Sequence, residues 1–202
     1  DGIKEFIEVQ RFGYDHPSAR LILGYYYALR GKVRRAEDAY LGAISLEPGF
    51  APAYVNLADL FRQTGRDSEG EVVLRAGLAE VDAAALLHAV GLHQVRSGRL
   101  DEALESLARA AALEESDPRV AYVYAVSLQS TGDLGKSLKV IDRALERHPF
   151  DRDLLMAAVS YLVEADRMIE AQSRADELLT LELGNAGIRG LLENLGLRAF
   201  LK

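Results

Sequence analysis

Apolar side chains recur along the chain at helical spacing, in pairs of runs separated by glycine. Leu23, Tyr27 and Ala28 precede Gly31, and Ala36, Tyr40, Ala43 and Ile44 follow it at i, i+4, i+7 and i+8. The pattern returns as Leu57 and Phe61 then Leu74 and Leu78, as Val90 and Val95 then Ala103, Leu107 and Ala110, and as Tyr124 and Leu128 then Ile141, Ala144 and Leu145. No stretch sustains the strict alternation of a half-buried strand. The pattern predicts antiparallel helix pairs, each helix about 12–14 residues long.

Two independent rulers set the repeat. Gly31, Gly65, Gly98 and Gly132 lie 34, 33 and 34 residues apart, each between an apolar run and a charged one. Glycine there suits a left-handed C-cap joining two helices. Pro48 and Pro149 lie 101 residues apart, which is three repeat lengths. Internal repetition of this period is the signature of stacked hairpins, none of which covers its own apolar faces.

Residues 17–50 resemble a tetratricopeptide repeat. That family expects large, large, small and large residues on the first helix, and Arg20, Leu23, Gly24 and Tyr27 stand there, with Arg20 in place of the usual aromatic. Ala36, Tyr40, Ala43 and Pro48 match the second helix. The second unit, 51–83, offers Tyr54, Leu57, Ala58 and Phe61, then Gly70, Leu74 and Gly77. The third, 84–117, offers Leu87, Val90 and Gly91, then Ala103, Leu107 and Ala110. The fourth, 118–151, offers Ala121, Tyr124, Ala125 and Leu128, then Ile141, Ala144 and Pro149. A degenerate fifth, 152–185, carries Leu155, Ala158, Leu162, Ala171, Ala175 and Leu178, with Asp166 where glycine is expected. Aspartate tolerates the left-handed turn better than most residues. The resemblance implies an all-α fold, a right-handed superhelix of antiparallel helix pairs.

Residues 1–16 read as the second helix of a repeat whose first helix is missing, with Ile3 to Phe12 amphipathic and Phe6 and Val9 in phase with Tyr40 and Ala43. Residues 186–202 read as one further capping helix through Ile188, Leu191, Leu192, Leu195 and Leu197 to Leu201. The chain opens on Asp1 without an initiator methionine, as expected of an excised or processed piece. Gly70 and Gly77 inside one helix of the second unit imply either close packing or a hairpin that bends more easily, since each costs about 1 kcal/mol relative to alanine.

Composition narrows the function. Acidic residues outnumber basic ones 31 to 24, a balance that argues against general nucleic-acid binding. With no cysteine, thiolate metal sites, disulfides and covalent haem attachment within the chain are excluded. No apolar run approaches the ~20 residues of a membrane span, and no targeting signal is visible. The compartment is left open between cytoplasm and periplasm. Catalytic motifs are absent, and His88 and His93 lie about 140° apart around a helix, so they do not form an i, i+4 metal pair. Asp67, Glu69, Asp101 and Glu102 fall in first turns, where carboxylates offset the helix dipole. No catalytic residue, metal site or cofactor is expected, and the chain reads as non-enzymatic.

In the family the first helices line an inner, concave groove that takes a peptide or helix of a partner. Carried onto this chain, that wall holds Tyr25, Asn56, Asp59, Arg62, Gln63, His88, Arg96, Arg119, Tyr122 and Gln129, with Leu21, Ala28 and Leu29 in the first unit and Met156, Ser160 and Glu164 in the fifth. Tyr25 lies in a run of three tyrosines and faces either the groove or the N-terminal helix. Arg62, Arg96 and Arg119 either hold a partner's carboxylate or are neutralised by local acids such as Asp59. The clamp of chaperone-tail binders is not reproduced, since Leu21, Tyr25, Ala85 and Ala89 stand at its positions and only Asn56 is retained. The run from Gln10-Arg11-Phe12 through Tyr54 to Leu60 also resembles, loosely, repeat regions attached to bacterial multihaem cytochromes. Three functions follow: a scaffold for a protein or peptide partner, a module that dimerises through exposed ends, or the docking domain of a periplasmic redox protein.

Overall fold

The computed structural model describes residues 15–181 and 186–197, which form eleven α-helices and no strand. In chain order these are α1 (Pro17–Leu29), α2 (Val33–Leu46), α3 (Ala51–Gln63), α4 (Asp67–Glu80), α5 (Ala84–Arg96), α6 (Leu100–Leu113), α7 (Pro118–Ser130), α8 (Leu134–Arg147), α9 (Arg152–Glu164), α10 (Met168–Leu181) and α11 (Ala186–Asn194). The chain divides into two units, Asp1–Arg96 and Ser97–Lys202, with the boundary between α5 and α6. The helix expected over 3–12 lies outside the described residues. The C-terminal stretch is not one helix to Leu201: α11 ends at Asn194 and Gly196 turns left-handed at φ +76°, while residues 198–202 lie outside the described residues.

The helix ends follow from local chemistry. Asp117, Asp133 and Asp151 each accept a backbone N–H at the start of α7, α8 and α9, and His16 Nδ1 does so for Ser18 at 3.2 Å. Gly31, Gly65, Gly98 and Gly132 hold φ between +66° and +88°. At Gly31 two bonds close the helix, Lys32 N–H to Tyr27 C=O and Gly31 N–H to Ala28 C=O, both 2.9 Å. Asp166 adopts the same turn at φ +58°, with Arg167 N–H on Leu162 C=O at 2.9 Å and Asp166 N–H on Val163 C=O at 3.0 Å. An aspartate therefore does the work of the expected glycine.

In the first unit, close approach at small residues holds the hairpins. Ala36 and Ala43 are fully buried, and the Tyr40 ring lies directly against Gly24. Tyr54 lies on Gly77, and its hydroxyl donates to the Pro48 carbonyl at 2.8 Å, tying α3 to the end of the preceding repeat. A Cβ on Gly77 would sit 2.8 Å from Tyr54 Cγ, and one on Gly70 3.2 Å from the Ala58 carbonyl oxygen. Close packing thus accounts for both glycines in α4. Arg20 fits an aromatic's position because its stem reaches over Gly42 while its guanidinium pairs with Asp15, Nε to Oδ1 at 2.7 Å. That hydrogen bond holds the Asp15 carboxyl below its ordinary range. Between repeats, Arg66 bridges Glu37 of α2 and Glu69 of α4 and lies 4.0 Å over the Phe61 ring.

The second unit carries one continuous apolar cluster from Ala125 and Ile141 through Leu155, Leu162 and Leu178 to Leu192 and Leu197. Its one fully buried hydroxyl among the described residues, on Ser137, donates to the Ala125 carbonyl at 2.7 Å. Ser137 occupies the small-residue position held by Ala36, Ala103 and Ala171 in other repeats.

Candidate functional site

Within each unit the opening helices of successive pairs pack on one another. α1 contacts α3 and α3 contacts α5, and in the second unit α7 contacts α9. No comparable contact joins α2 to α4 or α8 to α10. The opening helices therefore crowd onto one face and the closing helices splay on the other. This makes the opening helices the inner wall of each unit.

The wall of the first unit begins with an apolar stripe. Ile22, Tyr25 and Leu29, at i, i+3 and i+7 on α1, are 59%, 57% and 67% exposed. Leu21 and Ala28, expected on this wall, instead pack half-buried against the cluster around Tyr40 and Leu57. Ile22 was not expected there. The signal was available, since α1 is apolar almost all round and its buried face is already claimed by Leu23 and Gly24.

Beside the stripe lies a polar cluster on α3. Asp59 accepts from Arg62 Nε at 2.8 Å and from Gln63 Nε2 at 2.6 Å. Arg62 is thus neutralised locally, the second of the two readings the sequence allowed. The Tyr40 hydroxyl beneath is pushed up to about 12, first by burial, then by the Asp59 carboxylate and Tyr25. Tyr25, Asp59, Arg62 and Gln63 therefore come together. Asn56 stands apart, its amide donating to the Pro52 carbonyl at 2.8 Å. His88 is half-buried on α5, and Arg96 is exposed in the last turn of that helix.

The wall of the second unit has a different chemistry. Gln129 of α7 donates to Glu164 Oε2 of α9 at 2.9 Å, joining the two opening helices. The Tyr161 hydroxyl is raised above its ordinary value by burial, with half-buried Tyr122 and Glu164 adding to the shift. Tyr161 lies one position beyond Ser160, which the repeat phase had placed on the wall. Arg119 is exposed in the first turn of α7, its backbone N–H bonded to Asp117 at 2.8 Å. Among the described residues no group of three or more histidines, aspartates and glutamates is placed to hold a metal ion. No described helix is long and apolar enough to cross a membrane.

Residues 94–159 match the family model described as tetratricopeptide repeat. The fold is that of a tetratricopeptide-repeat solenoid. Solved structures of similar fold include PilW, a widely conserved type IV pilus biogenesis factor, at 16% identity over 94% of this chain and 89% of that one, with a TM-score of 0.74. PilF of Pseudomonas aeruginosa is 20% identical over 89% of this chain and 82% of that one, with a TM-score of 0.73. YrrB, described as a TPR protein with an unusual peptide-binding site, is 17% identical over 94% of this chain and 97% of that one, with a TM-score of 0.66. At such identities the likeness is one of fold. No curated protein matches the chain. The tetratricopeptide-repeat fold presents side chains from several helices on one wall, where each can be varied without disturbing the packing beneath it.

Proposed function

We propose that this tetratricopeptide-repeat chain is a non-enzymatic interaction scaffold whose inner wall binds an extended segment or helix of a partner protein. The observation that carries the reading is the exposed stripe Ile22, Tyr25 and Leu29 beside the polar cluster of Asp59, Arg62 and Gln63. The stripe offers apolar area to a partner's side chains. The cluster offers amide and carboxylate groups to its backbone. Tyr25 is rigid and amphipathic, so ordering it on binding costs little. Arg96 in the first unit and Arg119 in the second remain as exposed cations for acidic groups of a partner.

The test is selection of peptides from a random display library on the intact chain, followed by calorimetric titration of the selected peptides. Tyr25→Ser and Leu29→Ser should each weaken binding by about 1–2 kcal/mol, as truncated anchors do. Arg96→Glu should weaken acidic peptides and reduce their salt dependence. Failure to select any peptide, or peptides whose affinity ignores all three substitutions, would remove the reading.

A further inference from the structure

The second unit holds a groove on the face opposite its inner wall, between the closing helices α6 and α8, floored by α7. Its volume is about 170 Å³. That exceeds several waters at about 30 Å³ each. It falls well below the roughly 300–1,000 Å³ of small-molecule sites. The space suits one aliphatic side chain. Ala108, Ala111 and Ala112 form one bank, Val140 the other, and Tyr124 lies on the floor.

Comparison among the repeats explains the hole. In phase with Ala111 the other four repeats carry Ile44, Leu78, Leu145 and Leu179. Leu145 and Leu179 are buried in the second unit's core, and Ile44 and Leu78 pack half-buried against the first unit's clusters. Every other repeat thus fills this position with its own branched aliphatic side chain, and the third repeat leaves it open.

The mouth of the groove carries a charge. Arg143 and Arg147 of α8 both bond to the single carboxylate of Glu115, Arg147 Nη2 to Oε2 at 2.5 Å. Two guanidiniums share one anion, leaving one net positive charge over an apolar floor, on a chain whose net charge is −7. Both arginines are exposed enough to take a further acceptor.

We propose that this groove receives a leucine or isoleucine side chain from a partner protein's exposed segment, with an aspartate or glutamate beside it meeting Arg143 and Arg147. The partner supplies the side chain that the third repeat lacks. The carboxylate then completes a two-to-two charge match at the mouth. The site is separate from the inner wall, so substitutions on one face leave the other intact.

The probe is the peptide acetyl-Asp-Glu-Leu-Glu-Asp-amide, titrated to about 1 mM into the intact 15N-labelled chain and followed by backbone amide shifts. Saturable shifts confined to α6 and α8 around Ala111 and Val140 are expected. Replacing the peptide's leucine with alanine, or its acids with lysines, should weaken binding at least about tenfold, equivalent to roughly 1.4 kcal/mol. Ala111→Leu fills the hole as the other repeats do, so it should raise the unfolding midpoint and abolish the shifts. Arg143→Glu with Arg147→Glu, both at the surface, should weaken binding by a similar factor without touching the core. The proposal fails if no groove amide shifts, if the shifts persist in Ala111→Leu, or if the lysine peptide binds equally well. It fails also if Ala111→Leu instead dissociates a self-associated species in sedimentation, which would make the occupant a second copy.

Discussion

Replacing Gly24 by alanine should destabilise the first unit, although alanine is the better helix former. A Cβ at this position would lie 2.4, 2.5 and 2.9 Å from three atoms of the Tyr40 ring. Ordinary carbon contacts run at about 3.5–4.0 Å. Tyr40 is 2% exposed and hemmed in by fully buried Ala36 and Ala43, so its ring cannot swing clear without moving α1 from α2. Overpacking of this kind costs about 1–3 kcal/mol. The gain in helix propensity offsets about 1 kcal/mol of that. The expected net effect is therefore a loss of up to about 2 kcal/mol. Gly135, near the start of α8, has nothing within 4 Å of its would-be Cβ. Gly135→Ala should therefore stabilise by about 0.5–1 kcal/mol. The assay is guanidinium unfolding of both variants, read as midpoint shifts at unchanged m. A third comparison isolates the cause: with Tyr40→Leu the ring is gone, and adding Gly24→Ala should then cost nothing or stabilise. If Gly24→Ala unfolds at or above the wild-type midpoint, or costs as much without the ring as with it, the close-approach argument is wrong.

Other expectations follow from the same geometry. The Tyr40 hydroxyl titrates near 12 when folded against about 10 unfolded, so its stabilisation is full below pH 10 and is lost as pH rises towards 12. Tyr40→Phe should remove a base-induced loss of about 2 kcal/mol, seen by comparing denaturation midpoints of the two proteins at pH 9 and pH 12. Asp166→Gly relieves a non-glycine residue at φ +58° and should stabilise the second unit by about 0.5–1 kcal/mol, whereas Asp166→Val should destabilise it in the same thermal assay. Ser137→Ala gives up one hydrogen bond to the Ala125 carbonyl but restores the alanine that three other repeats carry, so its unfolding midpoint should stay within about 1 kcal/mol of wild type. Ser137→Val adds bulk at a position with no exposed surface and should cost more, about 1–3 kcal/mol by the same measurement.

The amino-acid sequence alone determined the helix pairs and their phase. It did so because the requirements involved are local. A left-handed turn must be met by the residue that occupies it, so Gly31, Gly65, Gly98 and Gly132 mark the turns openly, and Asp166 could be assigned by the same steric rule. Helical periodicity likewise exposes a buried face within a dozen residues, as at Ala36, Tyr40 and Ala43. Which surface is left uncovered is not local. Leu21 and Ile22 are adjacent and equally apolar, yet only Ile22 stands in solvent, because α2 and α3 cover the other side of α1. The charge of Arg62 is decided by Asp59 one helical turn before it, a rotamer choice that spacing permits without imposing. The groove at Ala111 needs both levels: the missing branched side chain is written in one repeat of five, but an opening exists only because α6 and α8 splay apart over the floor of α7. Sequence sets what each residue can do with its nearest neighbours along the helix; the packing of helices distant in sequence decides which of those residues stay exposed.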